Sequence, residues 1–199
     1  FSVHDVVLEA VRVLAVGAHK KGLELIADVR PDVPVRIVGD PTRLRQVIIN
    51  LVGNAIKFTE AGEVVVKVEI DQRTEHSVFL RFSIRDTGIG VPADKQQAIF
   101  EAFSQADVST TRRFGGTGLG LYIARNLVER MRGQIECDST VGQGTTFRVR
   151  LPLHQLGLPL NGKLRDLWDG NTAAPVIEAG VVSVAVASHG VALLGLRGA

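Results

Sequence analysis

The stretch Asp40-Pro-Thr-Arg-Leu44-Arg-Gln46-Val47-Ile48-Ile-Asn50-Leu51-Val52-Gly-Asn54-Ala55-Ile-Lys57 has the clearest boundaries in the chain and two distinct faces. Asp40 is a good helix cap, and Pro41 sits where a missing backbone N–H costs nothing. Leu44, Val47, Ile48, Leu51, Val52 and Ala55 recur at three- and four-residue steps, which makes one apolar stripe. Gln46, Asn50, Asn54 and Lys57 line up on the opposite face. A solvent-facing stripe usually mixes acids and bases. This one is mostly amides, which suits a wall that meets a ligand without repelling phosphate.

Outward from this helix the chain reads as the sheet it would cover. Upstream, Val6 to Lys20 form a helical pattern, with Ser2 or Asp5 as cap and Gly22 as stop. Leu23, Leu25, Ala27 and Val29 then alternate with polar residues as a strand, broken by Pro31 and Pro34. Downstream, Val64, Val66, Val68 and Ile70 share one face, as do Val78, Leu80, Phe82 and Ile84, with the polar run Asp71 to Ser77 as the hairpin loop. Pro92 to Gly116 hold Phe100, Phe103 and Phe114 among polar residues. The far half, Gln105 to Arg113, lacks periodicity and reads as a functional lid. A helix from Thr117 or Gly118 to Met131, ended by Gly133, follows. Ile135 and Cys137, then Phe147, Val149 and Leu151, close the unit as strands turning at Gly142 and Gly144. Every strand is one-sided. The spacing predicts an α/β, two-layer sandwich: a mixed, mostly antiparallel sheet of about five strands covered on one face by three helices.

Composition narrows the function classes. At 199 residues the chain holds one ordinary domain and an appendage. A formal charge of +2 gives no argument for nucleic acid or an acidic membrane surface. The single cysteine, Cys137, rules out an internal disulfide, suits a reducing compartment and lies in an apolar alternation that reads as packing. No basic-then-apolar signal opens the sequence. Ala179 to Leu196 is the one stretch resembling a membrane span, and its Gly, Ala and Ser content, with His189 inside, makes a poor one. The expected location is the cytoplasm, whether or not a longer parent protein is membrane-associated.

Two glycine-bearing stretches add chemistry. Asp86-Thr-Gly88-Ile-Gly90 puts a carboxylate at a strand end before a sharp turn, where it accepts from an amino group such as adenine N6. Guanine presents a carbonyl there, so the acid favours adenine. Taken alone, Asp86 suits an ordinary strand-end turn equally well. Gly115-Gly116-Thr117-Gly118-Leu119-Gly120 opens a helix, and unpaired N–H groups at a helix start make an anion site. A flexible hinge is the other reading. The string lacks the Gly-Lys-Ser/Thr ending of a Walker A loop, and no first strand carries the Rossmann glycines. Asn54 is the expected Mg²⁺ ligand, since magnesium shared with phosphates and water needs few protein oxygens. Lys57, one turn on, meets phosphate as a point charge. Arg112 and Arg113 stand where a closing lid brings them to the terminal phosphate, or are a solvated basic pair.

In this order the motifs resemble the ATP-binding catalytic domain of sensor histidine kinases, within the superfamily shared with gyrase, the heat-shock chaperone and mismatch-repair ATPases. Asn50 to Thr59 looks like the asparagine box, Asp86 to Gly90 the first glycine box, Phe100-Glu-Ala-Phe103 the phenylalanine box, and Gly116 to Gly120 the second glycine box. Gly142-Gln-Gly-Thr145-Thr-Phe147 resembles the closing glycine–threonine strand. The resemblance covers residues 1–153, and the lead-in Phe1 to Asp5 looks like that of hybrid kinases. It implies ATP and Mg²⁺ as cofactors, with Asp86 reading adenine, Asn54 holding the metal and the lid covering the triphosphate. Phe103, Arg112, Gly116, Thr117, Gly118, Leu119, Gly120 and Thr145 join the nucleotide contacts by the same resemblance. Where the related hydrolases carry a water-activating glutamate, this chain has Asn50. An amide is no general base, which favours transfer of the γ-phosphoryl group to a histidine.

That histidine belongs to a phosphoacceptor hairpin outside this sequence. His4 and His154 lack its setting and read as surface or linker residues. The implied partners are ATP, the phosphoacceptor domain of the parent kinase and, indirectly, a response regulator or receiver domain. The fragment itself is expected to be a monomer. Residues 154–199 read as a linker followed by a segment faintly similar to the start of a receiver domain, incomplete or degenerate, with Asp166, Asp169 and Asn171 as remnants of its acidic pocket. Three rivals stay open: a superfamily ATPase, a non-catalytic ATP-sensing module and a serine kinase of the anti-sigma-factor type.

Overall fold

The computed structural model describes residues 1–74, 77–103 and 118–155, with four short strands beyond them. The chain divides into two compact units, Phe1–Leu156 and Gly157–Ala199.

In the first unit α1 spans Val3–Lys20, α2 Pro41–Phe58 and α3 Gly120–Arg130. The strands are β1 (Glu24–Val29), β2 (Ile37–Val38), β3 (Glu63–Arg73), β4 (Ser77–Asp86), β5 (Gln134–Thr140) and β6 (Gly144–Gln155). Ser2 is the cap of α1, its Oγ accepting from Asp5 N at 3.2 Å. Asp40 caps α2 as its sequence predicts, accepting from Thr42 N and Arg43 N at 3.0 Å each.

The sheet is mixed and six-stranded, running β1-β3-β4-β6, with β2 and β5 both pairing β6. Only β1 and β3 are parallel. A parallel pair needs a crossover, and α2 lies on the connection between them. Val64, Val66 and Val68 of β3, Leu80, Phe82 and Ile84 of β4, and Phe147, Val149 and Leu151 of β6 are all buried. They form one core with the stripe of α2 and with Ala124 and Val128 of α3. The predicted sandwich is what forms. The sixth strand is β2, only two residues long and below what alternation reveals.

The opposite sheet face is laced with ion pairs. Arg85 meets Glu63, Arg148 meets Asp138 at 3.0 Å, and Arg81 meets Glu69 at 3.8 Å. The β3–β4 register shifts between Ile70 and Gln72, so Asp71 sits in a bulge. Its carboxylate is taken by Arg81 on one oxygen and by Arg150 Nε at 2.6 Å on the other.

Helix α3 starts later than Thr117 or Gly118. Gly118 has φ of 69°, a left-handed backbone that cannot sit inside the helix, so the first helical residue is Gly120. At the other end the left-handed residue is Arg132, with φ of 59°, rather than Gly133.

The second unit contains two antiparallel pairs, Leu164–Asp166 with Leu194–Leu196 and Val176–Glu178 with Val181–Ser183. Asp166 falls in the first of these strands. Asp169, Asn171 and most of the predicted linker lie outside the described residues. Among the described residues no helix is long and apolar enough to cross a membrane.

Candidate nucleotide site

The site is built where strand β4 ends. Asp86 is 5% exposed and pairs with Thr145, the second residue of β6. Its Oδ1 accepts from Gly88 N at 2.8 Å and from Thr145 N at 3.3 Å. Among the described residues nothing donates to Oδ2, so the side chain is pinned by one oxygen and open at the other. Burial raises the carboxyl pKa above its usual value, while the N–H groups of Gly88 and Thr145 and the nearby Arg85 pull it back.

The turn after Asp86 is wedged between α2 and β5. A Cβ on Gly88 would lie 2.5 Å from Phe58 O and 2.9 Å from Thr59 Oγ1, so no other residue fits there. Ile89 N donates to Phe58 O at 3.3 Å, and Gly142 N donates to Ile89 O at 2.8 Å. Gly90, with φ of 72°, packs directly on the backbone of Thr140. The Asp86–Gly90 turn is thereby fastened to the end of α2 and to the β5–β6 hairpin.

Helix α2 supplies the second wall. Asn54 faces the start of α3: its Nδ2 lies 3.6 Å from where a Gly120 Cβ would stand. One turn earlier, the Nδ2 of Asn50 is buried with no hydrogen-bond partner among the described residues. A buried amide without a partner is costly, and ends of this kind are normally satisfied by a ligand or water. Rotated to present oxygen, these two amides could offer hard donors to a cation. Lys57 Nζ rests over the Phe58 ring, 4.6 Å from its centroid, and partial burial lowers its pKa.

The third wall is the start of α3. Among the described residues no side chain caps the helix after Leu119, so its first-turn N–H groups are offered to whatever lies in front of them.

The structure thus gathers Asp86, Gly88, Gly90 and Thr145 in one cluster and brings Asn54 beside Gly120, with Asn50 and Lys57 on the same helix. Phe103 does not join them among the described residues. It is 74% exposed with φ of 61°, whereas Phe100 is buried edge-on against Phe147, ring centroids 6.0 Å apart. Arg112, Gly116 and Thr117 lie outside the described residues.

Three residues escape a reading of the sequence. Thr59 is fully buried, its Oγ1 donating to Ala55 O at 2.7 Å beside Gly88. Lys21 Nζ donates to Ile56 O, Lys57 O and Thr59 O at 2.7, 2.8 and 3.2 Å, closing the end of α2 from the α1–β1 turn. Ser139 sits against Thr145, Oγ to Oγ1, at 2.9 Å. Each acts across a long gap in sequence, where no local periodicity signals it.

A family profile described as "Histidine kinase-, DNA gyrase B-, and HSP90-like ATPase" matches residues 39–155. A second, the alpha galactosidase C-terminal beta sandwich domain, matches 139–196, but that match includes β6, a central strand of the six-stranded sheet. The sensor protein GacS of Pseudomonas syringae pv. syringae is 45% identical over 170 residues, covering 81% of this chain and 19% of that protein. BarA, a signal transduction histidine-protein kinase of Escherichia coli K12, is 48% identical over 153 residues, covering 77% of this chain and 17% of its own length. The chain therefore spans about a fifth of these curated relatives. Among solved structures, full-length ShkA in complex with AMPPNP superposes with a TM-score of 0.69 at 36% identity, covering 80% of this chain and 32% of that one. The catalytic domain of the histidine kinase ThkA gives 0.64 at 28% identity, covering 76% and 93%. Fold, motif order and relatives agree, and the chain belongs to the histidine kinase-, DNA gyrase B- and HSP90-like ATPase family, within which it carries the ATP-binding catalytic domain of a sensor histidine kinase.

Proposed function

We propose that this chain binds Mg-ATP between α2, the Asp86 turn and the start of α3, and donates the γ-phosphoryl group to a histidine on a separate phosphoacceptor domain. The observation that carries the reading is Asp86: a buried carboxylate with one oxygen held by two backbone N–H groups and the other open. That arrangement suits the exocyclic amino group of adenine and rejects the carbonyl of guanine. Asn54 is the metal ligand in this reading, with Asn50 beside it. The bound cation supplies charge neutralisation for phosphoryl transfer. Lys57 and the open N–H groups from Gly118 to Gly120 take phosphate oxygens, and Arg112, Gly116 and Thr117 complete that end.

Asn50 favours transfer over hydrolysis. Its amide orients but does not remove a proton from water, so attack by an acceptor histidine has no strong competitor. The phosphoacceptor hairpin and the response regulator are partners of the parent kinase, of which residues 1–153 form the catalytic domain and residues 154–199 a linker with a receiver-like remnant.

The test is titration calorimetry with a non-hydrolysable ATP analogue, with and without Mg²⁺, for the wild type and Asp86→Asn. It is followed by phosphotransfer to a separately supplied histidine hairpin. Asparagine keeps the pinned acceptor but presents a donor where the open oxygen stood, so binding weakens. Unchanged affinity in that variant would remove Asp86 from the adenine contact, and binding without transfer would leave an ATP-sensing module. Asn50→Glu gaining hydrolysis marks that position as the one that separates kinase from ATPase.

A further inference from the structure

Ser139 is the penultimate residue of strand β5, half-buried at the edge of the sheet, and its hydroxyl is fully engaged. Val91 N donates to its Oγ at 2.8 Å. The same oxygen lies 2.9 Å from Gly144 O and 2.9 Å from Thr145 Oγ1. A hydroxyl has one proton and two acceptor sites. Donation to Gly144 O, with acceptance from Val91 N and Thr145 Oγ1, uses all three. The backbone joins in: Gln96 Nε2 donates to Ser139 O at 2.8 Å and to Val91 O at 3.2 Å. Val91 is therefore held at its N–H by Ser139 and at its carbonyl by Gln96.

The two groups that Ser139 grips are the two limbs of the frame around Asp86. Val91 is where the chain leaves the Asp86–Gly90 turn. Thr145 is the residue whose N–H holds Asp86 Oδ1. Ser139 thus ties the residue that follows the turn to the residue that holds the Asp86 carboxylate. We infer that Ser139 is a positioning residue for adenine recognition, acting through Val91 and Thr145 without touching the base, with Gln96 as its support. The inference rests on the ATP-binding reading above and assigns the fine geometry of that same site.

The experiment compares the affinity of an adenosine triphosphate analogue with that of its guanosine counterpart by competition, alongside thermal melting, in four proteins. The wild type prefers adenine. Ser139→Ala loses about tenfold in adenine affinity, the scale of two neutral hydrogen bonds, while the guanosine analogue is unaffected and the preference collapses. Ser139→Thr restores the hydroxyl and with it the preference. Gln96→Ala shifts the preference in the same direction by a smaller factor. Equal losses for both nucleotides, or a lower melting temperature with the preference intact, overturn the inference and leave Ser139 as turn scaffolding. Should Ser139→Ala not fold, full preference in Gln96→Ala overturns it instead. A folded wild type that binds neither nucleotide overturns the ATP-binding reading together with this one, so the two failures are told apart.

Discussion

Helices α2 and α3 meet at the candidate site, Asn54 beside Gly120, and are finished in opposite ways. α2 is tied off at both ends. Asp40 takes two of its first N–H groups, and each carbonyl from Ala55 to Thr59 has a donor: Thr59, Lys21 or Ile89. α3 begins on a left-handed glycine and an uncapped leucine. The contrast follows from what each helix offers. α2 presents side chains along its flank, which are placed only as well as the helix is fixed. α3 presents its own end, and a capping side chain there would compete with the ligand for the same N–H groups.

The hardest way to break this contrast is to remove what α2 presents. Asn54→Ala is expected to lower Mg²⁺-dependent affinity for an ATP analogue by about 100-fold, the upper scale for a hydrogen bond or ligand contact to a charged group. Calorimetry at several Mg²⁺ concentrations reads it, and an intact Mg²⁺ dependence excludes Asn54 as the ligand.

Next comes Asp86, the acid fastened to the closed end of α2. Its pKa is raised above the ordinary 3.8 by burial, so it takes up a proton at higher pH than a solvated aspartate. The proton fills an acceptor, and nucleotide binding is expected to weaken as pH falls into that raised range. Asp86→Asn, about 30-fold weaker at neutral pH, loses this dependence. Stability runs the other way. A carboxyl whose native pKa is raised binds protons more readily folded than unfolded, so its contribution is unfavourable above the native pKa and relieved on acidification. The variant's melting temperature at pH 7 is thus expected to be no lower than wild type. A variant that melts markedly lower would mean the carboxylate is there for the fold.

At the open end the contrast is sharpened by two glycines. Gly118→Ala forces a side chain into the left-handed region, with an expected loss of about 1–2 kcal/mol in urea unfolding and weaker triphosphate binding. Among the described residues Gly120→Ala meets only Asn54 Nδ2 at 3.6 Å, an ordinary contact, and is expected to leave unfolding unchanged. Equal costs at the two positions would show that the start of α3 is set by packing rather than by backbone hand. The smallest effect belongs to Lys21→Met, which strips donors from three carbonyls at a partly buried helix end and is expected to cost about 0.5–1 kcal/mol. A melting curve unchanged by that variant would say that water caps α2 equally well.

What could be read in advance divides along similar lines. The two faces of α2, its cap, the one-sided strands and the carboxylate at Asp86 are local patterns, written within a few residues and set by periodicity and end chemistry. Strand β2 left no pattern because it is two residues held by β6 from across the sequence. The start of α3 was misplaced because glycine spacing says that the backbone turns, not where its hand reverses. Lys21, Ser139 and Thr59 leave no signal for a common reason: each bonds backbone groups, and a backbone donor or acceptor has no letter in the sequence. Asn50 was singled out for what it lacks, a carboxylate, and the structure adds that its amide nitrogen is buried and unanswered.

The bulge at Asp71 bears on how the chain finds its pairing. Alternation repeats every two residues, so a strand displaced by two keeps its apolar side inward and its polar side outward. Hydrophobic burial alone is nearly blind to that error. Arg81 and Arg150 stand directly opposite each other in the native register, and Asp71 lies between them with one oxygen for each. Displace β4 or β6 by two and the carboxylate loses a guanidinium while two positive charges lose their shared counterion. An irregularity in one strand thereby proofreads the alignment of three.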